Sequence, residues 1–251
     1  MKIVVIGGTG LIGSKLVSKL RQADHIVIAA SPASGINSIT GEGLTEAFKD
    51  ADVLVDVSNS PSFDDKDVME FFQTSTRNLL NAETYAGVKH YVAVSIVGAD
   101  NLPASSYLRA KLAQEKLIKE SGRPYTILRS TQFFEFAAGI ANAATTGEEV
   151  HISTGGIQPI ASDEVVEALF DIVQGIPLNT TVEVAGPVSM PMSEFIRYYL
   201  DATEDSRQLI EDEHALYFGT ELKQQSLLPG ENPRLGKIKY ENWFNTQLVK
   251  S

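Results

Sequence analysis

Lys2-Ile3-Val4-Val5-Ile6-Gly7-Gly8-Thr9-Gly10-Leu11-Ile12-Gly13 opens the chain with a short apolar run and a glycine loop, after which Leu11, Leu16, Val17 and Leu20 recur at helical spacing. The pattern predicts strand, tight loop, helix. Gly7 permits the turn, Gly10 lets a ligand approach the backbone, and Gly13 lets the helix pack closely on the strand. The exposed N–H groups at the positive helix end then face an anion. With Thr9, Leu11 and Ile12 completing the loop, the segment reads as a cradle for a pyrophosphate. The glycines are spaced Gly-x-x-Gly-x-x-Gly, one residue away from the commoner Gly-x-Gly-x-x-Gly.

Outward from this unit, apolar runs at residues 26–30, 53–57, 90–95 and 125–129 predict strands. They alternate with helical patterns at 64–85 and 104–120 and a shorter one near 44–48. Such alternation predicts an α/β fold, a doubly wound parallel sheet with helices on both faces and ligands at the carboxyl ends of the strands. After residue 130 the rhythm changes. The pattern predicts a helix at 132–143, a turn at Thr145-Thr146-Gly147, a Gly155-Gly156 turn and a helix at 163–173, capped by Ser162 or Asp163. The tail from Asp201 is acidic, then rich in Gly and Pro, and ends in Tyr240, Trp243 and Phe244. The expectation is one domain over 1–251, with residues from about 132 forming a smaller substrate-side lobe.

Composition narrows the function. The 251 residues carry 21 basic and 32 acidic side chains, a formal charge of -11, which offers nucleic acid or anionic lipid no net attraction. With no cysteine there is no disulfide, thiolate nucleophile or cysteine-ligated metal, and His25, His90, His151 and His214 show no ligand spacing. The first apolar stretch is too short for a signal peptide, and no run approaches the ~20 apolar residues of a membrane span. These features predict a cytoplasmic protein that acts on a small molecule, without a metal.

Tyr107-Leu108-Arg109-Ala110-Lys111 places a phenol and an ammonium four residues apart on one face of a predicted helix. A phenol has an unperturbed pKa near ~10, so it needs a nearby positive charge to exchange a proton near neutrality. Lys111 and an oxidised nicotinamide are the expected sources. Tyr85 and Lys89 share the spacing, but Gly87 should break the helix between them. Ser95 ends the strand before the Tyr107 helix, where sheet ligands bind. The expected catalytic set is Ser95 to bond a substrate oxygen, Tyr107 to give it a proton, and Lys111 to bind the nicotinamide ribose and lower the tyrosine pKa.

With these residues the chain resembles the short-chain dehydrogenase/reductase superfamily, and within it the atypical, NmrA-like branch of NAD(P)H-binding proteins. The resemblance rests on Gly7, Gly10 and Gly13, on Ser95, Tyr107 and Lys111, and on the segments 124–134 and 158–165. It implies carbonyl reduction or alcohol oxidation by the Ser, Tyr and Lys. It also implies that Asn59 lines the cofactor's ribose, that Ser130 to Gln132 pass near the nicotinamide, and that Phe133, Phe134 and Phe136 wall the substrate pocket. An NAD-selective site carries an acid at the end of strand two. Here that place reads Ala29-Ala30-Ser31-Pro32-Ala33-Ser34, which favours NADP with NAD left open; Ser31 and Ser34 can donate to a phosphate and Lys15 can add charge. The leading expectation is an NADPH-dependent oxidoreductase acting on a small carbonyl or quinone, as monomer or homodimer. A dinucleotide-sensing regulator without turnover and a sugar-nucleotide epimerase or dehydratase stand as alternatives.

Overall fold

The computed structural model describes residues 1–248. Its first half alternates strand and helix: β1 (Lys2–Ile6), α1 (Leu11–Gln22), β2 (Ile26–Ala30), α2 (Leu44–Phe48), β3 (Val53–Asp56), α3 (Asp65–Ala86), β4 (His90–Ile96), α4 (Ser106–Glu120) and β5 (Tyr125–Ser130). Shorter pieces follow: α5 (Ala137–Ala143), β6 (Thr145–Thr146), β7 (Glu149–Ile152), β8 (Gly156–Ile157), α6 (Ser162–Gln174), β9 (Thr180–Ala185), β10 (Met190–Pro191) and α7 (Met192–Ala202). The chain continues through β11 (Gln208–Glu211), β12 (Leu216–Tyr217), β13 (Thr220–Glu221) and β14 (Arg234–Leu235) to α8 (Tyr240–Leu248). The central sheet has seven strands in the order β14-β9-β5-β4-β3-β1-β2. This is the parallel α/β architecture that the alternation predicts.

The chain divides into two compact units: residues 1–95, 106–129 and 165–182 in the first, and 96–105, 130–164 and the segment from 183 on in the second. In the first unit, Ile3, Val4, Val5, Leu54, Val55 and Val92 are fully buried, because helices cover both faces of a parallel sheet. Ile6 pairs with Ala30 on one side and Asp56 on the other, and Asp56 pairs with Ala93. Gly7, Ser31 and Val57 therefore leave from one level of the sheet, while β4 runs on to Ile96. With β2 on one side of β1 and β3 on the other, the winding reverses at β1, where a crevice opens in folds of this kind. Gly87, at φ 72°, ends α3, and Lys89 turns to Asp52 at 2.8 Å, so the second Tyr–Lys spacing does not lie on one helix.

In the second unit the helix expected at 132–143 begins only at Ala137, after a 3-10 turn over Phe134–Phe136. The Gln132 carbonyl accepts from Ile160 N–H at 2.8 Å and Phe134 N–H donates to the Ile160 carbonyl at 2.9 Å, which holds this stretch extended. Gly155 and Gly156 do not turn; Gly156 lies in β8, paired with β10. At the start of α6 the Glu135 carboxylate accepts from the Ser162 N–H and hydroxyl, and Asp163 and Glu164 add acids in the first turn. The tail aromatics form a core: the Tyr240 ring lies 4.5 Å from Phe195, 5.0 Å from Phe134 and 5.9 Å from Trp243.

One buried acid in the first unit has no partner. Glu83, on α3, is 1% exposed, and neither carboxylate oxygen finds a hydrogen bond. Burial pushes it up to about 7, against a smaller opposing pull from Arg123. A folded pKa raised above the unfolded value near 4.5 contributes stability that is full below that value and is lost as pH rises through about 7. Glu83→Gln should therefore gain stability over the parent as pH rises from 5 to 8, by about 1–3 kcal/mol. Paired denaturant titrations at the two pH values test this, and a pH-independent difference would reject it.

Candidate functional site

The glycine loop lies at the carboxyl edge of β1. Gly7 takes φ +77°, and a Cβ there would stand 2.8 Å from the Val57 carbonyl oxygen. A Cβ on Gly13 would lie 2.1 Å from the Gly7 carbonyl oxygen, so helix and strand meet backbone to backbone. Gly8, absent from the three-glycine reading, is needed as well, since its Cβ would reach to 2.8 Å from Ala29 Cα. Gly10 differs from all of these: its Cβ would meet only the Gly7 oxygen at an ordinary 3.4 Å, so nothing inside the protein requires a glycine there. Gly10 is also the N-cap of α1. The first N–H groups of the helix, at Leu11, Ile12 and Gly13, have no intrahelical acceptor, no side chain caps them, and no acid stands in the first turn. This open, uncapped helix start fits an anionic group such as a dinucleotide pyrophosphate.

Around the same edge lie the residues from β3 and α4. The Tyr107 hydroxyl donates to Asn59 Oδ1 at 2.8 Å. Its ring packs 5.5 Å from Phe63 and 5.9 Å from Phe72. Burial pushes the phenol up to about 12, so it holds its proton firmly at neutral pH. Burial alone sets that direction, and the Lys111 ammonium bonds Gln114. Lys111 is 4% exposed, its Nζ lies 4.4 Å over the Phe72 ring, and it donates to Gln114 Oε1. Burial pushes it down to about 8, with Asp56 and then Glu115 opposing the shift.

Ser95 is brought to a different neighbour. Its buried hydroxyl lies beside Glu115 and helps hold that carboxyl below its usual range, together with the stronger bonds from Arg129 and Lys119, but it makes no well-formed hydrogen bond of its own. Glu115 is eight residues along α4 from Tyr107, about 12 Å of helix. The structure thus joins Tyr107 to Asn59 and Lys111 to Gln114, and sets Ser95 further along the helix. Asp56 and Gln114 were not expected at the site. Gln114 lies three residues from Lys111 on one helix face, a spacing that was readable.

At the end of β2, Ser31 and Ser34 close a reciprocal turn: the Ser34 hydroxyl donates to the Ser31 carbonyl at 2.8 Å and accepts from Ser31 N–H at 2.9 Å, while the buried Ser31 side chain faces the Ser34 N–H. In the second unit, Ser130 Oγ donates to the Thr131 carbonyl at 2.9 Å, and the Gln132 carboxamide is buried with neither polar atom bonded. Phe134 belongs to the Tyr240 core, while Phe133 and Phe136 stack at 5.3 Å with Phe136 half exposed. Among the described residues no three His, Cys, Asp or Glu side chains are placed to hold a metal ion, and no helix is long and apolar enough to cross a membrane.

The sequence profile described as NAD(P)H-binding matches residues 7–175, which is more than half of the chain and includes the loop, Tyr107 and Lys111. The chain belongs to the NAD(P)H-binding family. This NAD(P)H-binding protein is 24% identical over 202 residues to the Photosystem II assembly factor Ycf39 of Synechocystis sp., covering 75% of this chain and 62% of that protein. It is 28% identical over 153 residues to the NmrA-like family domain-containing oxidoreductase flvB of Aspergillus flavus, covering 54% and 49%. The chain thus spans 62% and 49% of the lengths of these curated relatives. Among solved structures, MoeE5 in complex with UDP-glucose and NAD superposes with a TM-score of 0.73 at 19% identity, covering 99% of this chain and all of that one, a likeness of fold.

The contrast between Gly13 and Gly10 gives a paired expectation. Gly13→Ala should lower stability by about 2–4 kcal/mol, since the methyl collides with backbone. Gly10→Asp should leave the thermal midpoint unchanged or higher, because Asp caps the helix amides itself, yet weaken dinucleotide binding about tenfold or more through that occupation and its charge. Thermal melts and calorimetric titration with NADPH and NADH check both, and unchanged affinity in Gly10→Asp would reject the loop as the binding site.

Proposed function

We propose that this protein is an NADPH-dependent reductase of the short-chain dehydrogenase/reductase type, in the NmrA-like branch, acting on a small carbonyl or quinone-type compound. The observation that carries the reading is the Tyr107 hydroxyl, kept protonated by burial and already donating at 2.8 Å to an amide oxygen, Asn59 Oδ1. A substrate carbonyl oxygen accepts from the same direction, though less strongly, and takes the amide's place. The α1 N-terminus with Thr9, Leu11 and Ile12 holds the pyrophosphate; Ser31, with no acid at the end of β2, favours the 2′-phosphate of NADP. Lys111 bonds the ribose with the ammonium hydrogens that Gln114 leaves unused, and Asn59, freed from Tyr107, lines the same sugar.

The reduced nicotinamide, when bound, supplies a hydride. With the cofactor bound, Tyr107 would give its proton to the substrate oxygen and solvent would return that proton to the phenolate. Similarity to an NmrA-like oxidoreductase supports the reading.

Tyr107→Phe should lower turnover by about 10²–10⁴-fold while NADPH affinity stays within about twofold. A panel of quinones, aldehydes and ketones with NADPH oxidation as readout tests this; binding without turnover on any of them would favour the regulatory reading instead. Because the Lys111 ammonium titrates at about 8 and the charged form bonds the ribose, NADPH affinity should fall as pH rises through about 8. Calorimetry between pH 6.5 and 9.5 checks this, and a flat profile would remove Lys111 from the cofactor site.

A further inference from the structure

Lys111 is tied to a buried carboxylate through an intervening carboxamide. Its Nζ donates to Gln114 Oε1, and Gln114 Nε2 donates to Asp56 Oδ2 at 2.8 Å. Asp56 Oδ2 also accepts from the Tyr91 hydroxyl at 3.2 Å, and Oδ1 accepts from Ser58 Oγ at 2.6 Å and Ser58 N–H at 3.0 Å. Four donors meet the roughly four lone-pair sites of a carboxylate, so Asp56 is held from every side. Asp56, Lys111 and Gln114 are all buried. An ammonium buried alone would shed its proton, and one in direct contact with a carboxylate would be held there. The carboxamide accepts at one end and donates at the other. It keeps the two charges coupled, yet separated, and leaves two ammonium hydrogens unused.

We infer that Asp56 and Gln114 are positioning residues that fix the location and charge of the Lys111 ammonium. The groups around this chain of bonds are Asp56 from β3, Tyr91 from β4, Glu115 and Tyr107 from α4, and the neutral Phe72 from α3. Glu115 is already gripped by Arg129 at 2.8 Å and Lys119 at 2.9 Å, which leaves Asp56 as the carboxylate linked to Lys111 by hydrogen bonds. Tyr91 is neutral, since burial and then Asp56 push its pKa well above the ordinary value. The inference rests on the reading that Lys111 serves the cofactor site, but its test is made on the protein alone.

The experiment follows the Lys111 titration by NMR of 13C-ε-labelled lysine in the full chain, with Lys111→Met identifying the resonance. Gln114→Glu puts a carboxylate beside the ammonium and should raise its midpoint by about one pH unit or more; Gln114→Met and Asp56→Asn should lower it by a similar amount. Opposite shifts support the inference, and unmoved midpoints, or shifts in one direction for all three, overturn it. Should Gln114→Met or Asp56→Asn fail to fold, Gln114→Glu, which keeps the side-chain length, decides alone. NADPH calorimetry on the same proteins separates the two readings: absent binding in the parent chain rejects the cofactor role of Lys111, whereas the NMR midpoints judge the Asp56–Gln114 link.

Discussion

Everything at the site depends on how closely α1 approaches the end of β1. The helix rests at Gly13 directly on the Gly7 carbonyl, with no room for a side chain between them. The Gly7 and Gly8 N–H groups both turn to the Ala30 carbonyl of β2, and Val57 N–H bonds the Ile6 carbonyl, so the loop is anchored to the strands on either side of β1. These backbone contacts need no particular side chain except hydrogen at the glycines. They bring the helix amides, the Ser31 turn and the end of β3 to the same edge of the sheet.

The buried face of α4 is polar where an ordinary helix would be apolar. Lys111, Gln114 and Glu115 lie among Leu108, Ala110 and Ile118. Burying such groups costs several kcal/mol each unless they are paired. Glu115 meets Arg129 with both oxygens, and Gln114 bridges Lys111 to Asp56. Glu83, equally buried, has no such partner and titrates near neutrality. The two acids show the difference between a carboxylate kept charged by partners and one driven towards its neutral form by burial.

The parallel sheet was legible because its buried strands are continuous apolar runs and its helices keep a 3.6-residue period. The Tyr107–Lys111 spacing was legible for the same reason. What escaped the sequence was decided by contacts between distant segments. The late start of α5 comes from Gln132 and Phe134 pairing with Ile160, which no local pattern records. Gly155 and Gly156 look like a turn, yet Gly156 pairs in a strand, and its missing Cβ makes room for the Gln224 carbonyl. Asp56 reads as a polar end to an apolar strand; its partners come from β4 and α4. Spacing tells which face Tyr107 and Lys111 share, not how deeply each is buried or which partner its terminus takes.

The Asn59 amide oxygen occupies the Tyr107 proton's direction before any substrate arrives. It therefore acts as a tethered competitor at high local concentration. An amide oxygen is a better acceptor than a ketone oxygen, so exchanging one for the other yields little net hydrogen-bond energy. On the proposed reductase reading, selection among carbonyl compounds would then fall to the remainder of the molecule, and the returning amide would help displace a product hydroxyl. Phe63, 55% exposed and packed on the Tyr107 ring, lies four residues after Asn59, so the ring and the amide that meet Tyr107 belong to one loop.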